Sequence, residues 1–179
     1  MTRRGGGGPE DRAAPITPDS VREMLSTLIE ECRVEFIVIG GFAVAAHGRI
    51  RGTRDLDLCP DPDPANLQRL TSALEAIDAT VLDLDEFEDE HDLKPDLEGL
   101  GGGGNWRLKT RHGGLDIMQD LSGLAGGYAD LAAGAEERVF LGYRVRFCGY
   151  EDLITMKEAA GRPQDLIDIE DLRAARGET

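Results

Sequence analysis

Two aspartates, Asp55 and Asp57, stand two residues apart in Arg54-Asp-Leu-Asp-Leu-Cys59. Polar and apolar residues alternate there, as in a half-buried strand. On a strand both carboxylates point to one face, and Leu56 and Leu58 point to the other, into a core. Neighbouring carboxylates repel each other unless a cation lies between them. A hard divalent ion held by one or two carboxylates plus substrate phosphates is the usual Mg2+ arrangement. Upstream, the apolar run Glu35-Phe-Ile-Val-Ile-Gly40 reads as a buried strand ending at the pair Gly40-Gly41. A short helix, Phe42–His47, follows and is stopped by Gly48. Glycines at such a junction let backbone N–H groups approach phosphate oxygens. One site thus combines a phosphate cradle with a metal pair. Asp55 and Asp57 could instead be plain solvated strand acids, but the glycine pair upstream argues against that.

Other charged residues sit where apolar ones are expected. Asp116 lies in Gly114-Leu-Asp-Ile-Met118, with apolar neighbours on both sides. On a helical wheel Lys157 falls with Leu153 and Ala160, so it either snorkels or points into a site. Asp165 and Asp168 share the side of Ile169 and Leu172, and acids on a core-facing side need partners. Arg162, Lys157 and a bound nucleotide are the candidates. Pro163 as first helical residue explains Asp165 as a first-turn acid, but not Asp168. Arg49, Arg51 and Arg54 precede the aspartate pair, and Arg107, Lys109 and Arg111 alternate on one strand face, so an anion can dock there. His47 reads as a helix C-terminal residue, and His91 and His112 lack metal-ligand spacing.

The glycine pair followed by Asp55-Leu56-Asp57 resembles the nucleotidyltransferase superfamily with the polymerase-β-like palm. Three segments look most like its AbiEii-type toxin group, which includes tRNA-modifying members. They are Gly41-Phe-Ala-Val-Ala-Ala-His-Gly48, Arg51-Gly-Thr-Arg-Asp-Leu-Asp57 and Lys157-Glu-Ala-Ala-Gly-Arg-Pro-Gln-Asp-Leu-Ile-Asp168. The resemblance covers residues 20–175. It implies transfer of a nucleoside monophosphate from an NTP to an acceptor hydroxyl, here the 3′ end of a tRNA, with a cognate antitoxin as partner. It implies Mg2+ on Asp55 and Asp57, with Asp116 as third carboxylate, a metal ligand or the acceptor of the hydroxyl proton. Gly40, Gly41, Arg54 and Lys157 would bind the nucleotide, and Asp165 would order Lys157 or the site. Many members have Gly-Ser where this chain has Gly40-Gly41, so a serine hydroxyl is missing. Two rivals remain: an antibiotic-type, small-molecule nucleotidyltransferase, and an inert nucleotide- or partner-binding regulator. Both aspartates being intact argues against the second.

These residues need a frame. The order of elements is helix (Val21–Glu31), strand, short helix, strand, helix (Asn66–Ile77), strand (Ala79–Leu84), then strands Asn105–Arg111 and Gly114–Met118. Helix Gly123–Ala133 follows, then a hairpin of Arg138–Leu141 and Tyr143–Cys148 around Gly142. Helices Glu151–Ala160 and Gln164–Ala175 close the chain. This predicts an α/β palm with a mixed sheet, flanking helices and a C-terminal helical pair. Residues 1–17 read as a disordered tail, 18–149 as the palm and 150–176 as the helical part. Asp85–Gly104 reads as a mobile, acidic, Gly-rich excursion. The 179 residues carry a net charge of −15, and about half of that excess lies in 83–98. The total therefore does not decide for or against a nucleic-acid substrate. Three widely spaced cysteines, Cys32, Cys59 and Cys148, and the absence of a signal or membrane-spanning run predict a cytoplasmic protein with no membrane contact.

Overall fold

Local signals set the helix starts. Thr17 caps the first helix, its Oγ1 accepting from the Ser20 amide at 3.1 Å, and Pro18 occupies the first turn. Asp63 caps the third in the same way before Pro64. In the computed structural model, which describes residues 16–82 and 95–178, the helices are α1 (Pro18–Leu25), α2 (Gly40–Ala46), α3 (Pro64–Ala76), α4 (Leu97–Gly101), α5 (Tyr128–Gly134), α6 (Tyr150–Ala160) and α7 (Pro163–Arg176). The strands are β1 (Phe36–Val38), β2 (Asp55–Pro60), β3 (Thr80–Val81), β4 (Asn105–Thr110), β5 (Gly113–Met118), β6 (Glu136–Phe140) and β7 (Tyr143–Phe147).

The strands form one mixed sheet in the order β3-β4-β5-β2-β1-β7-β6. Parallel pairs join β2 to β5 and β1 to β7, and the other neighbours are antiparallel. One face of its middle strands is apolar: Leu56, Leu58, Leu108, Leu115 and Ile117 are fully buried. Helix α1 lies on that face, where Thr110 Oγ1 meets Met24 Sδ at 3.8 Å. The opposite face of β2, β5 and β4 carries Asp55, Asp57, Asp116, Arg107 and Lys109. Strand β1 is buried at all three residues, as its unbroken apolar run predicts. The cysteines are free thiols, and burial pushes Cys59 and Cys148 up to about 12. Among the described residues no helix is long and apolar enough to cross a membrane.

The α/β sheet, the hairpin at Gly142 and the C-terminal helix pair match the sequence reading, and four local readings change. The first helix continues past Leu25 as a π-helical turn, Ser26–Glu31, which keeps Thr27 and Leu28 buried. The segment read as helix from Gly123 becomes helical only at Tyr128. Gly127, at φ +56°, stands outside the helix, and Asp130 Oδ2 accepts from the Gly126 amide at 2.8 Å. Gly40 already belongs to α2 rather than ending β1. Of the excursion read over 85–104, residues 85–94 lie outside the described residues, as does most of the tail read over 1–17. Its end is ordered: Asp96 caps α4, Leu100 is fully buried beside α3, and its carbonyl accepts from Gln119 Nε2 at 2.9 Å.

That buried leucine yields a test. Leu100→Ala should lower unfolding free energy by about 2–5 kcal/mol, the range for truncating a core leucine. Urea denaturation measures it, and a loss near zero would return the whole of Asp85–Gly104 to the status of a dispensable excursion.

Candidate functional site

Strand register brings the acids together. Parallel pairing of β2 with β5 sets Asp57 directly opposite Asp116 and Asp55 opposite Gly114. Antiparallel pairing of β4 with β5 sets Arg107 opposite Asp116. Three carboxylates thus share one face of two adjacent strands, with a guanidinium alongside. Burial, then the charges of Asp116 and Asp55, push the Asp57 carboxyl up to about 7. A backbone hydrogen bond from Gly41 and the charge of Arg162 pull the other way without cancelling the rise.

The glycine pair has a steric cause. Gly40 takes φ +62°, and a Cβ there would overlap Asp57 Oδ2 and Cγ. Only glycine lets the Asp57 carboxylate lie against the start of α2. A Cβ on Gly41 would fall 2.6 Å from Thr53 Oγ1 and 2.8 Å from Thr53 Cβ. Thr53 therefore fills the space that a serine at position 41 would need, and its hydroxyl stands beside the glycine where the serine hydroxyl is missing. That hydroxyl donates to the Asp55 carbonyl at 3.1 Å. The sequence reading missed Thr53. The available signal was its spacing, two and four residues before the acids on the same alternation.

The charges on the C-terminal helices form a buried network. Lys157 Nζ lies 3.1 Å from Asp165 Oδ1 and 2.6 Å from Asp168 Oδ2. Arg162 Nε donates to Asp165 Oδ2 at 2.6 Å. Arg51 Nη2 donates to Asp168 Oδ2 at 3.0 Å, its Nε stands 2.9 Å from Oδ1, and Gln164 Nε2 donates to Oδ1 at 3.0 Å. Burial alone would raise both carboxyls. The hydrogen bonds from Arg162 and Lys157 to Asp165, and from Lys157, Gln164 and Arg51 to Asp168, outweigh it and hold both below the usual carboxylate range. A second ion pair, Arg49 Nε to Asp171 Oδ2 at 2.8 Å, joins the same loop to α7. The segment leading into Asp55 is thus tied to the C-terminal helix at two points.

The expected site residues fall into three groups. Asp55, Asp57, Asp116, Gly40 and Gly41 come together. Lys157 and Asp165 pack against each other below the surface, with the Lys157 ammonium turned to two carboxylates. Arg54 is exposed, one residue out of step with the acids, and has no hydrogen bond or ion pair among the described residues. Arg111 leaves the proposed basic face to meet Asp78 at 3.3 Å. His47 ends α2, its Nε2 2.8 Å from the Cys148 carbonyl, in keeping with a structural reading. The crowded hard-oxygen donors suit a divalent cation. Among the described residues no three His, Cys, Asp or Glu side chains converge on one ion, so an ion on Asp55 and Asp57 would need substrate oxygens to complete its shell.

No protein-family model and no curated protein matches this sequence. Solved structures do match. The lincosamide antibiotic adenylyltransferase LnuA, in its lincomycin-bound form, superposes with a TM-score of 0.60 at 16% identity, covering 90% of this chain and 99% of that one. ANT(2")-Ia, in complex with adenylyl-2"-tobramycin, gives 0.57 at 17% identity and 88% of each chain. An antigenic nucleotidyltransferase-like protein from Paracoccidioides brasiliensis gives 0.54 at 17% identity, over 90% of this chain and 78% of that one. The fold is the nucleotidyltransferase fold over nearly the whole chain.

Two outcomes follow from the site's electrostatics. With the Asp57 carboxyl at about 7, a divalent cation must displace a proton below neutrality. Affinity for Mg2+ should rise about tenfold per pH unit up to pH 7 and then level off, since one proton is released per ion bound. Calorimetric titration from pH 5.5 to 8.5 checks it, and a flat profile would refute it. A raised carboxyl binds its proton more tightly in the folded state, so without metal Asp57 costs stability as pH climbs from about 4 to 7. Asp57→Asn should remove that part of the pH dependence. For the network, Lys157→Met should destabilise by about 3 kcal/mol, the low end for breaking a buried pair, because Asp165 keeps Arg162 and Asp168 keeps Arg51. Thermal or urea denaturation reads it.

Proposed function

We propose that the protein is an Mg2+-dependent nucleotidyltransferase that moves a nucleoside monophosphate from an NTP to an acceptor hydroxyl and releases pyrophosphate. One observation supports this above the rest. Asp57 is pressed against a glycine that can be nothing larger, opposite Asp116 and two residues from Asp55, in a position where its own ionisation is opposed. A strand that needed only surface polarity gains nothing from such crowding. A site for a divalent cation does.

Asp55 and Asp57 would hold the metal, with Asp116 completing the acidic face. Bound there, Mg2+ supplies charge for the α-phosphate and the departing pyrophosphate. Asp116 accepts the proton of the attacking acceptor hydroxyl, from the strand beside Asp57. Gly40 and Gly41 leave the backbone bare where phosphates approach, and Thr53 adds a hydroxyl beside them. Arg54 and Lys109 are exposed cations flanking the acids, suited to an anionic substrate.

Two acceptors have separate support. The AbiEii-like motifs point to a toxin that modifies the 3′ end of tRNA and is restrained by an antitoxin. The neighbours bound to lincomycin and to adenylyl-2"-tobramycin, with chains this one covers almost entirely, point to a small-molecule hydroxyl. Incubating the protein with each labelled NTP, Mg2+ and either total tRNA or a panel of aminoglycosides and lincosamides separates the two by where the label goes. Asp57→Ala should lose all transfer while keeping its fold by circular dichroism, and wild-type turnover in that variant would remove the mechanism.

A further inference from the structure

Arg162 stands at a corner that its neighbours fix. Gly161, at φ +60°, ends α6 in a left-handed turn. Pro163 begins α7 and holds the residue before it extended, at φ −71° and ψ 153°. At this corner the Arg162 side chain is 75% exposed, yet it is not loose. Its Nε donates to Asp165 Oδ2 at 2.6 Å and its Nη2 to Asp165 Oδ1 at 3.4 Å. Asp165 is held in turn by Lys157 Nζ at 3.1 Å. A guanidinium has five N–H donors. Both on Nη1 and one on Nη2 have no partner among the described residues.

The network also carries surplus charge. Three cations, Arg51, Lys157 and Arg162, share two buried carboxylates, Asp165 and Asp168. One positive charge is left over. Lys157 is enclosed and Arg51 largely covered, so the surplus is presented at Arg162. The network adjoins the acidic face: Arg51, which grips Asp168, has its Nη1 3.6 Å from where a Cβ on Gly41 would lie, next to the glycine that Asp57 lies against. The charges of Arg162 and Asp57 favour each other's ionised forms.

We propose that Arg162 is the arm that binds the β- and γ-phosphates of the nucleotide, and that Lys157 is the strut that aims this arm through Asp165. The inference rests on the nucleotidyl-transfer reading above. A planar fork with free donors matches two phosphate oxygens, and its anchor on a buried carboxylate keeps it extended before substrate arrives. Lys157 cannot serve the phosphates in the same arrangement. Its ammonium is 6% exposed, and turning it outward would take a partner from two buried acids. The same corner explains why Arg162 need not be buried: its work is on substrate phosphates, not within the core.

The test is calorimetry with Mg2+ and inorganic tripolyphosphate, and in parallel with AMP, on the full chain and its Arg162→Gln, Arg162→Lys and Lys157→Met variants. Arg162→Gln should weaken tripolyphosphate about ten- to hundredfold, the worth of a charge-assisted hydrogen bond, and leave AMP unchanged. Its melting temperature should stay near wild type, since the side chain is exposed and Asp165 keeps Lys157. Arg162→Lys should recover only part of the affinity. Lys157→Met should lose melting temperature and weaken tripolyphosphate less than Arg162→Gln does. Equal affinity in wild type and Arg162→Gln overturns the assignment, as does a larger loss in Lys157→Met. A wild-type protein that binds no tripolyphosphate at all strikes at the nucleotidyl-transfer reading itself.

Discussion

Like-charge repulsion among Asp55, Asp57 and Asp116 is the constraint to which the rest of the structure answers. Parallel pairing of β2 with β5 fixes the Asp57–Asp116 juxtaposition, and strand alternation fixes Asp55 on the same face. Neither arrangement can relax without turning Leu56, Leu58, Leu115 and Ile117 out of the core. The apolar face of the sheet therefore holds the acids in place against their mutual repulsion. What surrounds them moderates it: a glycine with no side chain, a backbone N–H from the next residue, and a guanidinium projecting from another part of the chain.

The C-terminal network couples that guanidinium to the acids' own lead-in. Asp168 is gripped by Lys157 from α6 and by Arg51 from the segment before β2, while Asp165 is gripped by Lys157 and Arg162. Leucines would bind two helices together at lower desolvation cost. Charge-paired hydrogen bonds do something leucines cannot: they fix direction as well as contact. The corner at Gly161-Arg162-Pro163 and the lead-in 49–54 are thereby set relative to each other.

How much of this was legible in the sequence follows from the range of each interaction. The face shared by Asp55 and Asp57 is local, fixed by strand alternation, and it reads directly. The pairing of Asp165 and Asp168 with Lys157 and Arg162 was also legible, because helical periodicity put acids and a lysine on apolar sides that demand partners. The opposition of Asp57 and Asp116 needs the register of two strands far apart in sequence, which no local pattern encodes. Thr53 left a local signal, its place on the alternation of Asp55 and Asp57, but its role depends on the space above Gly41, which that alternation does not show. Arg51 was seen only as one of several cations, since its partner Asp168 lies at the far end of the chain. Leu100 was lost in a stretch whose acids and glycines outweigh its three leucines by composition, although Asp96 gives its helix a capping residue.

Charge distribution, rather than total charge, governs what such a face can bind. The strongly acidic segment follows β3, the edge strand beyond β4, and is followed by α4. In physiological salt, exposed charges lose most of their influence beyond about 8 Å. A substrate at Asp57 is then governed by the groups around it. Asp116 and Asp55 oppose an anion there until a divalent cation offsets them, and Arg162, Arg107 and Lys109 attract it. The protein can carry a net charge of −15 and still present a phosphate-binding face, provided that the cation arrives with the phosphates.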